Sequence, residues 1–210
     1  MPRSFRTLLF ACVACTSVAR GQAHQRVDIG GRQLDLIRRG TGGPTIIFET
    51  GLADSLETWA PVFAAVSSLG TTIAYSRAGF GRSDYLPDFT VQGAVRDLHA
   101  MLDRLRLPRP YVLVGRSFGG IIVRLYTSMY PQDVGGLVLV DGTHEQQVKR
   151  WGLIDSTYPH AFKVFYDSAL ATKKPPQEAA EIRETLRIQT AGIPWEKRCD
   201  TRQFSLPWRS

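Results

Sequence analysis

The chain is poor in cysteine and histidine, with three and four respectively in 210 residues. Two of the cysteines, Cys12 and Cys15, fall in the first 19 residues, and Cys199 stands near the other end. If the leader is removed, no internal disulfide is possible, and stability has to come from a packed core. The histidines and cysteines are also too widely spaced to form a metal constellation, so no metal site is expected. There is no internal repeat, no low-complexity segment and no apolar run long enough to span a membrane. The formal charge of +7 lacks the form that nucleic-acid binding requires. Basic residues are scattered or in short pairs such as Arg38-Arg39 and Lys173-Lys174, with no basic block interleaved with aromatics. Gly79 and Gly81 form a lone Gly-x-Gly without the remainder of a dinucleotide fingerprint. It reads as a turn, and no cofactor is expected.

The first 19 residues have the order of an export signal. Arg3 and Arg6 give a positive start, Leu8–Val18 a short apolar stretch, and Ser17-Val18-Ala19 a small-x-small cleavage site. The expectation is an exported protein, secreted or periplasmic. Leu9-Phe10-Ala11-Cys12 loosely resembles a lipobox, which leaves lipid anchoring at Cys12 as a lesser alternative. The remainder is long enough for one domain with a substantial core, and its 43% hydrophobic and 21% charged residues are ordinary for a globular protein.

Along the chain, short apolar runs alternate with helical patterns. Val27-Asp28-Ile29 and Leu34–Ile37 flank Gly30-Gly31 as an antiparallel hairpin. Thr45–Glu49 and Thr71–Ser76 read as buried strands. Asp54 or Ser55 caps a helix through Trp59, Val62, Phe63 and Val66. A longer helix, about Thr90 to Leu107, lines up Val91, Val95, Leu98, Leu102 and Leu105. Gly136–Val140 predicts another buried strand, ending at Asp141. Such alternation calls for a mostly parallel sheet covered on both faces. After residue 145 the strands stop. Tyr158, Phe162, Phe165 and Ala169 predict one helix and Glu178–Gln189 another, and residues 191–210 read as an irregular tail.

The most informative stretch is Tyr111–Gly120, YVLVGRSFGG. Four apolar residues suit a buried strand, a helical pattern begins at Ile121, and Gly115-x-Ser117-x-Gly119 lies between them. A serine on a sharp strand-to-helix turn is a nucleophile elbow. The two glycines are required sterically, because a side chain at either would collide with the adjoining strand or helix.

Together with FETGLADSLETW, YSRAGFGRSD and GLVLVDGTHE, in that order after the hairpin, this stretch resembles the α/β-hydrolase family over roughly Val27 to His144. The resemblance implies a three-layer α/β/α sandwich, with residues 25–144 as the core and 145–190 as a helical cap. It implies a serine hydrolase acting on an ester or related acyl bond of a small-molecule substrate. Ser117 would be the nucleophile, and the N–H groups of Leu52 and Phe118 the oxyanion donors. Thr50 stands where many relatives have histidine. The family sheet has about eight strands, its acid and histidine commonly following the last two. Six candidates are present here, so the sheet is expected to be incomplete after the sixth, in a truncated or frameshifted chain. The substitutes at hand are Asp141 as acid, one inter-strand step of about 4.8 Å from the elbow strand, and His144 as base. His24 is expected near a mobile amino terminus, His99 on a solvent-facing position and His160 on the surface. Two other readings stay open: an inactive or binding protein on this scaffold, and a cofactor-free haloperoxidase or acyltransferase.

Overall fold

The computed structural model describes residues 23–191. The expected export leader over 1–19, with Cys12 and Cys15, and the expected tail beyond 191, with Cys199, lie outside the described residues.

The six strands are β1 (His24–Asp28), β2 (Gln33–Arg39), β3 (Thr45–Glu49), β4 (Thr71–Tyr75), β5 (Tyr111–Arg116) and β6 (Val134–Val140). They form one sheet in the order β1-β2-β4-β3-β5-β6. β1 and β2 pair antiparallel, as do β2 and β4, while β4, β3, β5 and β6 run parallel. The mixed, mostly parallel sheet with helices on both faces is the fold class expected from the alternation.

Side-chain period decides the layers. Ile47, Ile73, Tyr75 and Leu113 point to one face, where α2 (Val91–Leu105) and α3 (Gly119–Met129) pack through Val95, Leu98, Leu102, Ile122 and Leu125. Their neighbours Ile46, Phe48, Ala74 and Val114 point to the other face. There a 3₁₀ turn (Leu56–Trp59) leads into α1 (Ala60–Val66), and Trp59 and Phe63 close the layer. Phe48 and Trp59 lie 4.5 Å apart between ring centroids. α2 begins where the Thr90 side chain accepts the Gly93 N–H at 3.0 Å, an N-cap. It ends at Arg106, whose left-handed φ of 48° turns the chain. The helix on the other face is not capped as expected: Ser55 makes no side-chain cap bond, and Asp54 instead pairs with Arg116 at 2.7 Å.

Three helices follow the sheet: α4 (Gln147–Gly152), α5 (Tyr158–Ala171) and α6 (Pro176–Ala191). α6 is anchored, burying Ile182 and Ile188. No residue of α5 is fully buried. Among the described residues no helix is long and apolar enough to cross a membrane.

β6 departs from the sequence reading. It was expected to be buried, yet Leu137, Val138, Leu139 and Val140 are 39–46% exposed. The reason is its place: among the described residues β6 is an edge strand, paired with β5 alone, and apolar composition does not distinguish an edge from a centre. Register puts Leu113 opposite Leu137 and Gly115 opposite Leu139. Leu113→Ala is therefore expected to cost about 2–5 kcal/mol, and Leu139→Ala less than about 1 kcal/mol. Urea unfolding of the two variants measures the difference, and similar losses would show that the β6 face is covered in solution.

Candidate active site

β5 delivers Ser117 directly into α3. The serine takes φ 49°, a conformation that side chains other than glycine adopt only when their surroundings hold them there. The hold comes from the β6 side. The Ser117 N–H donates to the Val140 carbonyl at 3.1 Å, and the Ser117 carbonyl accepts from Thr143 N–H and from Gly120 N–H, both at 2.9 Å. The glycines on either side sit in close approaches. A β-carbon on Gly115 would meet Val123 Cγ2 at 2.6 Å, and one on Gly119 would meet the Thr50 and Glu49 carbonyl oxygens at 2.5 and 2.7 Å. The loop after β3 lies against the serine, since a β-carbon on Gly51 would lie 3.6 Å from Ser117 Cβ. Phe118 N–H opens α3, where backbone N–H groups have no intrahelical acceptor.

Ser117 borders a cavity of about 470 Å³ shared with Asp141, Gly142, Thr143 and Gln147 on the β6 side and with Tyr158, Phe162, Phe165 and Tyr166 of α5. The aromatic rings form a continuous run. Tyr158 and Phe162 centroids are 6.2 Å apart, and Phe162 and Tyr166 are 4.5 Å apart. Burial, with Tyr158 nearby, pushes the Tyr166 phenol above its ordinary pKa, so it stays a neutral hydroxyl.

The structure brings Asp141 to the wall of this cavity with Ser117, itself at φ 48°. It does not bring His144 there. The His144 Nδ1 accepts the Gln146 N–H at 3.0 Å, and its Nε2 faces Glu145 Oε1 at 3.5 Å. The carbonyl of His144 accepts from Gln189 Nε2 of α6 at 2.7 Å, so the loop is fastened to the helical block. Arg124 of α3 secures the same loop, donating to Thr143 O at 3.1 Å and pairing with Glu145. The remaining histidines are placed elsewhere. His24 is not loose: it lies in β1, with Nδ1 2.9 Å from Asp35 Oδ1. His99 is half-buried on α2 and stacks on Tyr130 at 3.8 Å between centroids. His160 lies exposed on α5.

A second cluster was missed from sequence. Arg77, just before the Gly79-x-Gly81 turn, is 2% exposed and joins β3, the loop after it, β4 and α6. Its Nη1 donates to Glu49 Oε1 at 2.6 Å and to the Thr50 carbonyl and hydroxyl oxygens, both at 2.8 Å. Its Nη2 donates to the Gly51 carbonyl at 2.6 Å, and its Nε to Glu181 Oε1 at 2.7 Å. Burial alone would lower the guanidinium pKa, but Glu181 and Glu49 outweigh it and hold Arg77 charged. Burial drives Glu49 the other way, above the usual carboxylate range, against the pull of Arg77. Tyr75 completes the cluster by donating its hydroxyl to Glu49. A signal was present in the sequence: Glu49 ends the otherwise apolar strand TIIFE, and a carboxylate there needs a buried cation.

Residues 44–197 match the family described as having the alpha/beta hydrolase fold. The chain belongs to that family. Among curated relatives it is 34% identical over 105 residues to the protein YqjL of Bacillus subtilis, covering 50% of this chain and 42% of YqjL. It is 31% identical over 106 residues to human monoacylglycerol lipase ABHD6, covering 49% of this chain and 30% of that protein. Among solved structures, the proposed lipase lip1 of Acinetobacter baumannii superposes with a TM-score of 0.57 at 21% identity, over 81% of this chain and 62% of that one. An epoxide hydrolase mutant from Vigna radiata superposes with a TM-score of 0.52 at 26% identity, over 56% and 37%. The α/β-hydrolase match thus spans less than half the length of these curated relatives.

The elbow contacts yield a stability prediction. Gly119→Ala forces a β-carbon into two backbone carbonyls that cannot withdraw, and it is expected to cost about 1–3 kcal/mol, read from the denaturation midpoint. An unchanged midpoint would show that the β3–α3 approach is looser than described.

Proposed function

We propose that this α/β-hydrolase family member is a serine hydrolase that cleaves an ester or related acyl bond. The observation that carries this reading is Ser117 itself. A non-glycine residue is held at positive φ on a strand-to-helix turn, its backbone clamped on both sides, at the wall of a cavity large enough for a small-molecule acyl group. In the proposed reaction Ser117 Oγ attacks the acyl carbonyl, the leaving group departs with a proton, and water then releases the acyl group. The N–H groups of Phe118 and Leu52 receive the oxyanion. Asp141, at the end of β6, is the proposed acid that orients the base. His144 is the proposed base, and to act it must release the Gln146 N–H and turn its ring toward the cavity. The aromatic wall of α5, part of the helical cap, suits an apolar acyl chain or aromatic ester. The monoacylglycerol lipase named among the relatives supports an acyl substrate. The leader over residues 1–19 is proposed to export the protein.

A fluorophosphonate probe tests the nucleophile. Covalent labelling that disappears in Ser117→Ala is the expected result, and folded protein that never labels would remove the hydrolase reading. Leu52→Pro deletes one oxyanion donor. A loss of about 10²–10³ in kcat is expected with the fold retained, and full activity would exclude Leu52 from that role. His144→Ala that labels as fast as the parent protein would take the base assignment away from His144.

The engagement of the His144 ring by the Gln146 N–H and Glu145 favours a second reading, a non-catalytic binding protein that keeps the scaffold. Tight ester or acid binding without turnover, unchanged in Ser117→Ala, is its signature. Acyl transfer to an added alcohol in place of water would move the reading from hydrolase to acyltransferase. A haloperoxidase is tested by halogenation of a phenolic acceptor with peroxide and bromide.

A further inference from the structure

Resting on the hydrolase reading above, we propose that Arg77 is the positioning residue of the oxyanion loop, with Glu181 of α6 as its keeper. The argument begins with a peptide plane. The Gly51 carbonyl and the Leu52 N–H belong to one planar trans unit and point in opposite directions. Arg77 Nη2 holds that carbonyl at 2.6 Å from the core side, which aims the Leu52 N–H away from the core. On the outward side, the β-direction of Gly51 falls 3.6 Å from Ser117 Cβ. The preceding peptide is held too, because the same guanidinium takes the Thr50 carbonyl and hydroxyl at 2.8 Å. The following one is held by Glu181, whose Oε2 accepts the Ala53 N–H at 2.8 Å and whose Oε1 accepts from Arg77 Nε at 2.7 Å. Leu52 is therefore bracketed by one ion cluster.

Only a guanidinium can serve both carbonyls and both carboxylates at once, through five donors in a fixed plane. A lysine ammonium is a point charge on a flexible stem. Oxyanion donors work because they are already aimed when charge develops, and a displacement of about 1 Å can cost about 10²-fold in rate. Because Glu181 belongs to α6, placement of the helical block and readiness of the oxyanion loop are set by one contact.

The test compares Arg77→Lys, Glu181→Gln and, as a control remote from the oxyanion loop, Arg109→Ala, which breaks the pairs of Arg109 with Asp103 and with the buried Asp133. Each folded variant is assayed for 4-nitrophenyl butyrate hydrolysis, fluorophosphonate labelling rate and amide exchange at Leu52 and Ala53. Arg77→Lys keeps a charge between the two carboxylates, and its kcat and labelling rate are expected to fall about 10²-fold with KM changed less than twofold. Glu181→Gln is expected to speed Ala53 exchange at least tenfold and to lower kcat in step. Arg109→Ala is expected to leave kcat unchanged even where its thermal midpoint drops. Equal kcat in Arg77→Lys and the parent protein overturns the positioning role alone. So does a loss in KM only, or an equal loss in Arg109→Ala. If Arg77→Lys does not fold, Glu181→Gln decides: faster exchange with unchanged kcat overturns the proposal, and a joint change supports it. A parent protein that neither turns over ester nor labels overturns the hydrolase reading, and the positioning role falls with it.

Discussion

A single buried cation holds together parts of this protein that are far apart in sequence. Arg77 follows β4, Glu49 ends β3, and Glu181 lies 104 positions further along the chain on α6. Taking three charges out of water costs several kcal/mol per ion, and this is recovered only when geometry and hydrogen bonding are nearly complete. They are complete here. Glu49 also receives the Tyr75 hydroxyl, Glu181 also receives the Ala53 N–H, and the spare guanidinium donors end on loop carbonyls. The cluster is therefore intolerant of partial loss. Removing Arg77 leaves two buried carboxylates without their cation, a change worth about 3–5 kcal/mol, whereas an exposed ion pair such as Arg26 with Asp84 contributes little. Fold and loop geometry are fixed by the same atoms.

The sheet places this cluster and the serine at one end. β4, β3 and β5 are adjacent interior strands, and the carboxyl ends of β3, β4 and β5 lead to the Thr50–Asp54 loop, Arg77 and Ser117 respectively. Parallel pairing is what brings those three ends level. β6 adds a fourth, and through Val140 and Thr143 it supplies the backbone partners of the elbow. An exposed edge strand thus bears directly on the strained serine, and the set of the Asp141–Thr143 loop is part of the elbow's support.

Much of this was legible from residue pattern. The short apolar runs TIIFE and TTIAY, and the three-four spacing in α2, are local properties, and local properties fix element type. Burial of β6 was not legible, because GLVLV reads the same at a sheet's centre and at its edge. The stacking of His99 on Tyr130 joins α2 to the end of α3, which no spacing within either helix reveals. The roles of Arg77 and Glu181 were hidden for the same reason. Arginine in a glycine-rich turn looks like a surface residue until the partner on α6 is known. The glycines at 115 and 119 were easier to interpret, because a strand–turn–helix with serine at its apex leaves little room for a side chain on either side.

Strain is concentrated where chemistry is proposed. Of the four non-glycine residues with positive φ among the described residues, Ala53, Ser117 and Asp141 lie on the loops around the serine, and only Arg106 is elsewhere, ending α2. Each such conformation costs on the order of 1–3 kcal/mol, less for aspartate, which tolerates it better. Arg106 is at an ordinary helix stop. The other three are held by partners that are themselves anchored: Ala53 N–H by Glu181, Ser117 by Val140 and Thr143, and the loop after Asp141 by Arg124 and Gln189. Two of those anchors, Glu181 and Gln189, lie on α6 two turns apart. The helix that follows the sheet in sequence therefore grips the oxyanion loop through one side chain and the Asp141–His144 loop through another. A rotation of the His144 ring toward Ser117 breaks the Gln146 contact but does not itself disturb the Gln189 contact, since the first engages the side chain and the second the backbone carbonyl.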